Sequence, residues 1–265
     1  MIPVVTNADD FGLSEGVCSG IVKAIQAGGL TATTAMACVP GAMERLARWA
    51  PAIPGRIGAH LQLTSGRPLL PPERVPSLVD ADGRFPDSRK KVTAPQTSEI
   101  FAEWQAQIEL LVRVGIEPTH LDSHHHIHRL PAAFPAFCEI AKRFSVPARA
   151  IDAQMRSQLQ AEGIPCVGET ITGWYGGELS AASMIMLLRQ SAEAHPDAES
   201  FEVMCHPGLV DSSLAFLSKY VQDRERELAV FLSGNLRREL EAAGFSLSTI
   251  AEAVRFPAAA VDLRH

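Results

Sequence analysis

Short apolar runs that end in polar residues recur along this chain, and the stretches between them have the spacing of helices. The first run, IPVVTNADD at 2–10, is rich in β-branched residues and is typical of a buried strand that leaves a sheet at its polar end. Ser14 can cap the helix that follows, whose apolar residues Val17, Ile21 and Ile25 recur at every fourth position. The chain therefore begins with one predicted strand–helix unit.

The same alternation continues along the rest of the chain. Further strands are predicted at 31–39, 55–63, 119–124, 146–151, 164–169 and 201–208, with helices ending near 50 and at 98–114, 131–144, 181–194, 218–232 and 235–243. About seven such units favour parallel strands surrounded by helices in an α/β fold, an irregular, TIM-barrel-like (β/α) barrel. A doubly wound open sheet is the alternative, although no GxGxxG motif follows the first strand.

Residues 65–98 interrupt this alternation. The segment is rich in proline and shows neither helical nor strand periodicity over most of its length. A loop of this length inside a compact domain is usually a functional lid or a mobile segment. We expect one domain over residues 1–265 with an insertion or lid loop at about 65–98.

Charge and cysteine usage restrict the partners and the compartment. The formal net charge of -6 argues against nucleic acid and anionic membranes as partners. The five cysteines are widely spaced and form no CxxC pair, so a reducing, cytoplasmic setting fits best. We find neither an export signal nor a membrane span in the sequence.

Three predicted strands carry Asp or His where they end: NADDFG at 7–12, AHLQLTSG at 59–66 and HLDSHHHIH at 120–128. The carboxyl ends of parallel strands converge on one face, where such side chains can meet. Asp10, His60 and His124 would form a facial set of one carboxylate and two imidazoles that leaves metal positions open for water and substrate. Strand alternation places Asp122 beneath His124, where it would orient that imidazole.

Each of these features also has a plainer interpretation. Asp9 and Asp10 can belong to a solvated turn, His60 to the core, and the histidine run to a polar loop. His206, in CHPG at the end of another strand, is either a general acid or a structural residue before a turn. Arg224 and Glu227 lie one helical turn apart, which is typical of an exposed helix with intrahelical ion pairs.

At these residues the sequence resembles the YdjC-like carbohydrate deacetylase family, which includes chitooligosaccharide deacetylases. NADDFGLS, HLQLTSGRPL, PTHLDSHHHIH, EVMCHPG and REL after Tyr220 carry the resemblance, in the family's order. It implies an irregular (β/α) barrel related to NodB-type polysaccharide deacetylases, and metal-dependent removal of acetyl groups from N-acetylated amino sugars.

By the same resemblance the metal ligands are Asp10, His60 and His124, the general base is Asp9 and the acid is His206. Which of the two aspartates is base and which is ligand stays open. The family implies one divalent ion, magnesium, whereas two imidazoles suit zinc or another transition ion better.

The substrate implied is a small N-acetylated sugar, and the sequence leaves a homodimer open. Trp174, Tyr175 and Arg149 are further candidates to line a sugar site. Of the remaining histidines, His125 is expected to point away, and His126 and His128 to be substrate-side or structural. An amidase for a non-sugar acyl amide, or a noncatalytic protein that binds sugar or metal, are the alternative functions.

Overall fold

The computed structural model describes residues 1–254, which form parallel strands with helices between them. The strands are β1 (Ile2–Phe11), β2 (Ala32–Ala35), β3 (Ile57–Leu61), β4 (Leu121–Ser123), β5 (Glu169–Ile171), β6 (Phe201–Cys205) and β7 (Phe245–Leu247). The helices are α1 (Glu15–Gln26), α2 (Ala42–Trp49), α3 (Thr97–Arg113), α4 (Ala133–Phe144), α5 (Ala153–Ala161), α6 (Ala181–Ala194), α7 (Leu214–Leu217), α8 (Asp223–Leu232), α9 (Leu236–Ala242) and α10 (Ile250–Ala253).

The strands form one curled sheet in the order β4-β3-β2-β1-β6-β5, with β7 paired to β1, and every strand pair is parallel. Residues 146–151 extend it beyond β4, because the Arg149 amide donates to Leu121 O and the Ala148 amide donates to Pro165 O, shortly before β5. The predicted α/β class and irregular barrel are confirmed. Among the described residues, no helix is both long and apolar enough to cross a membrane.

Several predicted boundaries were wrong. Residues 146–151 form only an isolated bridge, Leu121 to Ala148, and the strand expected at 164–169 begins at Glu169. The helix expected at 218–232 begins at Asp223. Strand β7 and helices α5, α7 and α10 were not predicted. Three of them, β7, α7 and α10, are only three to four residues long, so tertiary pairing rather than sequence periodicity defines them.

Helix α3 illustrates how the core is built. Its residues Ile100, Trp104, Ile108 and Leu111 are buried as the helical spacing predicts. Val112, which follows Leu111 in the same helix, is 48% exposed. Burial of a large apolar side chain such as Trp104 contributes about 1.5–3 kcal/mol to stability.

The 65–98 segment lies against α3 and the histidine run. It contains three short 3-10 turns, Pro72–Arg74, Pro76–Leu78 and Arg89–Lys91. Val75, Leu78 and Phe85 from this segment are buried. Glu103 of α3 accepts the Leu69 and Leu70 amides at 2.9 and 3.0 Å. The structure thus shows an anchored loop; its role as a lid stays a prediction.

Candidate metal centre and catalytic groups

Two consecutive aspartates face the same interior site because β1 is irregular where they occur. The β1–β2 register shifts between Ala8 and Phe11, and Asp10 has a φ of 72°, a left-handed conformation that is rare for a residue other than glycine. Strand alternation alone would send Asp9 and Asp10 to opposite faces. A bulge of this kind is often found next to active sites, where it redirects a side chain. Both aspartates are buried.

The structure brings Asp10, His60 and His124 together. Asp10 Oδ1 lies 3.6 Å from His60 Nε2 and 3.4 Å from His124 Nδ1, and the two imidazole nitrogens are 3.3 Å apart. Donor atoms about 2.1 Å from a shared ion lie roughly 3.0–3.4 Å apart. Asp10 Oδ1 is also a buried oxygen without a hydrogen-bond partner in residues 1–254. These three side chains therefore fit a divalent cation.

Asp122 orients His60, not His124 as predicted. Its Oδ1 lies 2.7 Å from His60 Nδ1, because β3 and β4 pair in a register that sets His60 opposite Asp122. Strand β4 ends at Ser123, so the alternation assumed for His124 stops before it. With Nδ1 held by a carboxylate, His60 presents Nε2 to the metal position. Burial lowers the pKa of His60, but the Asp122 and Asp9 carboxylates outweigh this effect and raise the pKa to about 9.

Arg149 is buried beneath the site and pairs with three carboxylates. Its guanidinium donates to both oxygens of Asp9, at 2.7 and 2.9 Å, and lies 2.8 Å from Asp122 and 2.7 Å from Glu202. Burial raises the pKa of Asp9, but the charge and hydrogen bonds of Arg149, with smaller contributions from His60 and His206, outweigh this effect and hold the pKa well below its usual range. The suggestion that Arg149 lines a sugar site is wrong, since its side chain is fully buried.

His206 follows β6, and its backbone is fixed by Glu227 of α8. The His206 amide donates to Glu227 Oε2 at 2.5 Å, and Tyr220 Oη donates to Glu227 Oε1 at 2.5 Å. His206 Nδ1 is buried and has no hydrogen-bond partner among the described residues. Burial lowers the pKa of His206 to about 4, despite the opposing carboxylates of Asp10 and Asp9.

Helix α8 contributes two charged groups to the site, although their spacing in the sequence predicted an exposed helix face. Arg224 and Glu227 are buried, so the expected exposed helix face with intrahelical ion pairs is wrong. Arg224 donates to Asp10 Oδ2 at 2.6 Å, and in the described part of the chain Oδ1 of that carboxylate has no hydrogen-bond partner. Burial raises the pKa of Asp10, but the Arg224 charge together with the hydrogen bond and charge of His124 outweighs this effect and holds the pKa well below its usual range. The REL motif at 226–228 includes Glu227, but no local pattern in the sequence locates the contact of Arg224 with Asp10.

Within the described chain, His124 is the only member of the histidine run that joins a metal-type cluster. His125 is exposed, with its Nδ1 3.1 Å from Thr64 Oγ1. His128 is buried, stacks on Phe137 and contacts Ser123, so its role is structural. A second cluster, Asp9, His60 and Asp122, also has metal-type spacing, but Arg149 pairs with both carboxylates.

Trp174 and Tyr175 point in different directions. Trp174 is buried, donates to Ser183 and packs on Phe231, so its suggested place in a sugar site is wrong. Tyr175 is 43% exposed, and its ring centroid lies 4.8 Å from that of His206. Of the suggested lining residues, only Tyr175 is available to a ligand beside the site.

Comparisons with known proteins identify the same family as the sequence motifs. The family model described as "YdjC-like protein" matches residues 3–242. A carbohydrate deacetylase of Geobacillus stearothermophilus is 38% identical over 94% of this chain and 96% of its own length. A chitooligosaccharide deacetylase of Yersinia pestis is 35% identical over 93% of this chain and 97% of its own length.

Solved structures share the fold. A candidate cellobiose-phosphate cleavage protein from Enterococcus faecalis V583 superposes with a TM-score of 0.83 and 30% identity, over 96% of this chain and 99% of that one. The Xyl-CE4 domain of a xylanase from a Trinervitermes trinervoides hindgut metagenome has a TM-score of 0.50 and 9% identity, over 95% of this chain and 89% of that one. The latter likeness concerns the fold alone.

Proposed function

This chain belongs to the YdjC-like protein family, and from that premise we propose that it is a metal-dependent hydrolase that removes the acetyl group from an N-acetylated amino sugar. One observation carries the proposal: Asp10, His60 and His124 place three donor atoms within 3.3–3.6 Å of one another. The deacetylase names of the Geobacillus and Yersinia relatives support acetyl-amide hydrolysis as the reaction.

Asp10, His60 and His124 would hold the divalent ion. Such an ion supplies polarisation of the acetyl carbonyl and a lowered pKa of bound water. Its identity stays open between the magnesium implied by the family and the zinc or other transition ion that two imidazoles favour. Arg224 and Asp122 support this ligand set. Arg224 hydrogen-bonds to Asp10 and Asp122 hydrogen-bonds to His60, and each contact holds its ligand in a single orientation.

Asp9 takes a proton from the attacking water. Arg149 keeps this carboxylate ionised and holds it in place by two hydrogen bonds. Attack on the carbonyl carbon forms a tetrahedral oxyanion, and stabilising its charge is usually the largest catalytic contribution.

His206 protonates the leaving amine. Burial lowers the pKa of this imidazole to about 4, so it is neutral at pH 7. The proton that Asp9 takes from the water passes to His206 as the oxyanion forms, and His206 transfers it to the leaving nitrogen. The carbon–nitrogen bond then breaks, which gives the free amino sugar and acetate. A small N-acetylated sugar is therefore the proposed substrate, and closure of the 65–98 loop over it is part of the proposal.

A substrate panel tests this function. We expect acetate release from N-acetylglucosamine and its oligomers, loss of release after chelation, and recovery with added divalent ion. Release only from acyl amides that lack a sugar would indicate the alternative amidase function. Sugar binding without acetate release, under metal-replete conditions, would contradict catalysis altogether.

A further inference from the structure

Tyr175 occupies an unusual position beside the candidate proton donor. Its loop is fixed by the preceding Trp174, which is buried against Phe231 and donates to Ser183 Oγ at 3.1 Å. Tyr175 itself is 43% exposed, yet its ring packs against two others. The ring centroids lie 4.8 Å from His206 and 5.5 Å from Tyr220, at interplanar angles of 60° and 85°. An exposed aromatic ring is thus held at a defined place next to the reacting groups.

A chain of hydrogen bonds ties this loop to His206. The Gly176 amide donates to Tyr220 Oη at 3.2 Å, and Tyr220 Oη donates to Glu227 Oε1 at 2.5 Å. The other oxygen of Glu227 accepts the His206 amide at 2.5 Å. One buried carboxylate therefore sets the position of both the proton donor and the loop that carries Tyr175.

This arrangement suits a sugar better than an unbranched acyl amide. A pyranose has faces made of C–H groups, which pack favourably on an aromatic ring that is already ordered. The amine that leaves on hydrolysis must lie near the proton donor, so the ring that bears it must lie near Tyr175. A substrate without such a ring would make no stacking contact with the exposed part of Tyr175.

We propose that Tyr175 is a specificity-determining residue on which the pyranose that carries the acetamido group stacks, with its nitrogen directed toward His206. This assignment rests on the proposed deacetylase function. It places the sugar on the β6–α8 side of the metal centre. Tyr220 is a positioning residue, because it acts on the substrate through the Tyr175 loop.

Kinetics of four variants test the assignment, with N-acetylglucosamine and its disaccharide as substrates. Tyr175→Ala is expected to raise KM by about 5- to 10-fold with kcat changed less than about 3-fold. Tyr175→Phe keeps the ring and should stay within about 2-fold of wild type. Tyr220→Phe removes the link to Gly176 and should raise KM by a smaller factor. Met186→Ala, at a 52% exposed position on α6, is the matched control and should leave both constants unchanged.

An unchanged KM in Tyr175→Ala, or a loss confined to kcat, would overturn the assignment. Calorimetric titration of the disaccharide into wild type and Tyr175→Ala separates this outcome from failure of the proposed function. If wild type binds the disaccharide without releasing acetate, and Tyr175→Ala binds it about 5- to 10-fold more weakly, the function is wrong and the stacking site stands. Equal affinities of the two proteins for the disaccharide contradict the stacking site, whatever the activity.

Discussion

Asp9 and Asp10 are adjacent in sequence but have different surroundings. Both oxygens of Asp9 are engaged by Arg149, whereas the buried Oδ1 of Asp10 has no hydrogen-bond partner within residues 1–254, because Arg224 occupies only Oδ2. A free buried oxygen suits a metal ligand, and a carboxylate held beside it suits a base. The structure therefore supports the division of roles that the sequence left open.

Substitution of each aspartate by asparagine separates these roles. Asp10→Asn should weaken binding of a divalent ion by at least about 100-fold, because it removes the charge of a ligand. Asp9→Asn should bind the ion within about 10-fold of wild type but lose at least about 100-fold in kcat. Calorimetric titration with Zn²⁺, together with acetate release, measures both effects. If Asp9→Asn instead weakened ion binding and Asp10→Asn lost only kcat, Asp9 would be the ligand and Asp10 the base.

Glu227 makes stability depend on pH in a defined direction. Burial raises its pKa from 4.5 to about 7, so the folded protein binds a proton that the unfolded chain releases. This contribution to stability is complete below about pH 4.5 and is lost as pH rises through 7. A shift of this size corresponds to about 3 kcal/mol.

Glu227→Gln should remove that dependence, since glutamine does not titrate. In urea unfolding at several pH values, the free energy of unfolding of wild type relative to Glu227→Gln should fall by up to about 3 kcal/mol between pH 5 and pH 8. Glu241→Gln, at an exposed position on α9, is the control. A difference that stays constant over this pH range would refute the buried, protonatable state of Glu227.

At the scale of elements, strands β1, β3 and β6 and the long helices α1, α3, α4 and α6 were predictable because their apolar patterns are local. Patterns visible in the sequence predict the buried residues of α3 and the polar ends of β1, β3 and β4. The bulge at Asp9 and Asp10 was not predictable, because it depends on how β1 pairs with β2. Neither was the partner of Asp122, because the β3–β4 register determines it.

Long-range contacts account for most of what the sequence did not reveal about the site. Arg149 meets Asp9 across 140 residues, and Arg224 meets Asp10 across 214. Local patterns carry no information about such pairs. Arg224 and Glu227 even have the spacing of a solvated helix, and only the packing of α8 against the barrel buries them.

Glu103, a buried side chain of α3, holds the start of the 65–98 loop by accepting two of its backbone amides. Glu103→Ala leaves the Leu69 and Leu70 amides without their acceptor, so the loop should open more often. We expect hydrogen exchange at these two amides to accelerate by at least about 10-fold, and KM for N-acetylglucosamine oligomers to rise. Glu109→Ala, at an exposed position on the same helix, is the control. Unchanged exchange at Leu69 and Leu70 would show that the loop is held by other contacts.

At the scale of the whole molecule, the barrel gathers three aspartates and Glu202 around two buried arginines and the histidines of the proposed metal site. A cation that binds only the folded state should stabilise the whole chain. At about 100 times its dissociation constant, the gain is about 2.7 kcal/mol. Differential scanning calorimetry should show a higher Tm with the ion for wild type, and a much smaller rise for His124→Ala. Equal rises would place the ion elsewhere.

The most direct test of the account is acetate release from the N-acetylglucosamine disaccharide by metal-free protein to which a divalent ion is added stepwise. We predict that activity is absent before addition, rises in proportion to the ion and reaches its plateau at one ion per chain. His124→Ala should stay inactive throughout the same titration. Full activity of the metal-free protein, or a His124→Ala variant that reaches the wild-type plateau at one ion per chain, would contradict a metal-dependent deacetylase centred on Asp10, His60 and His124.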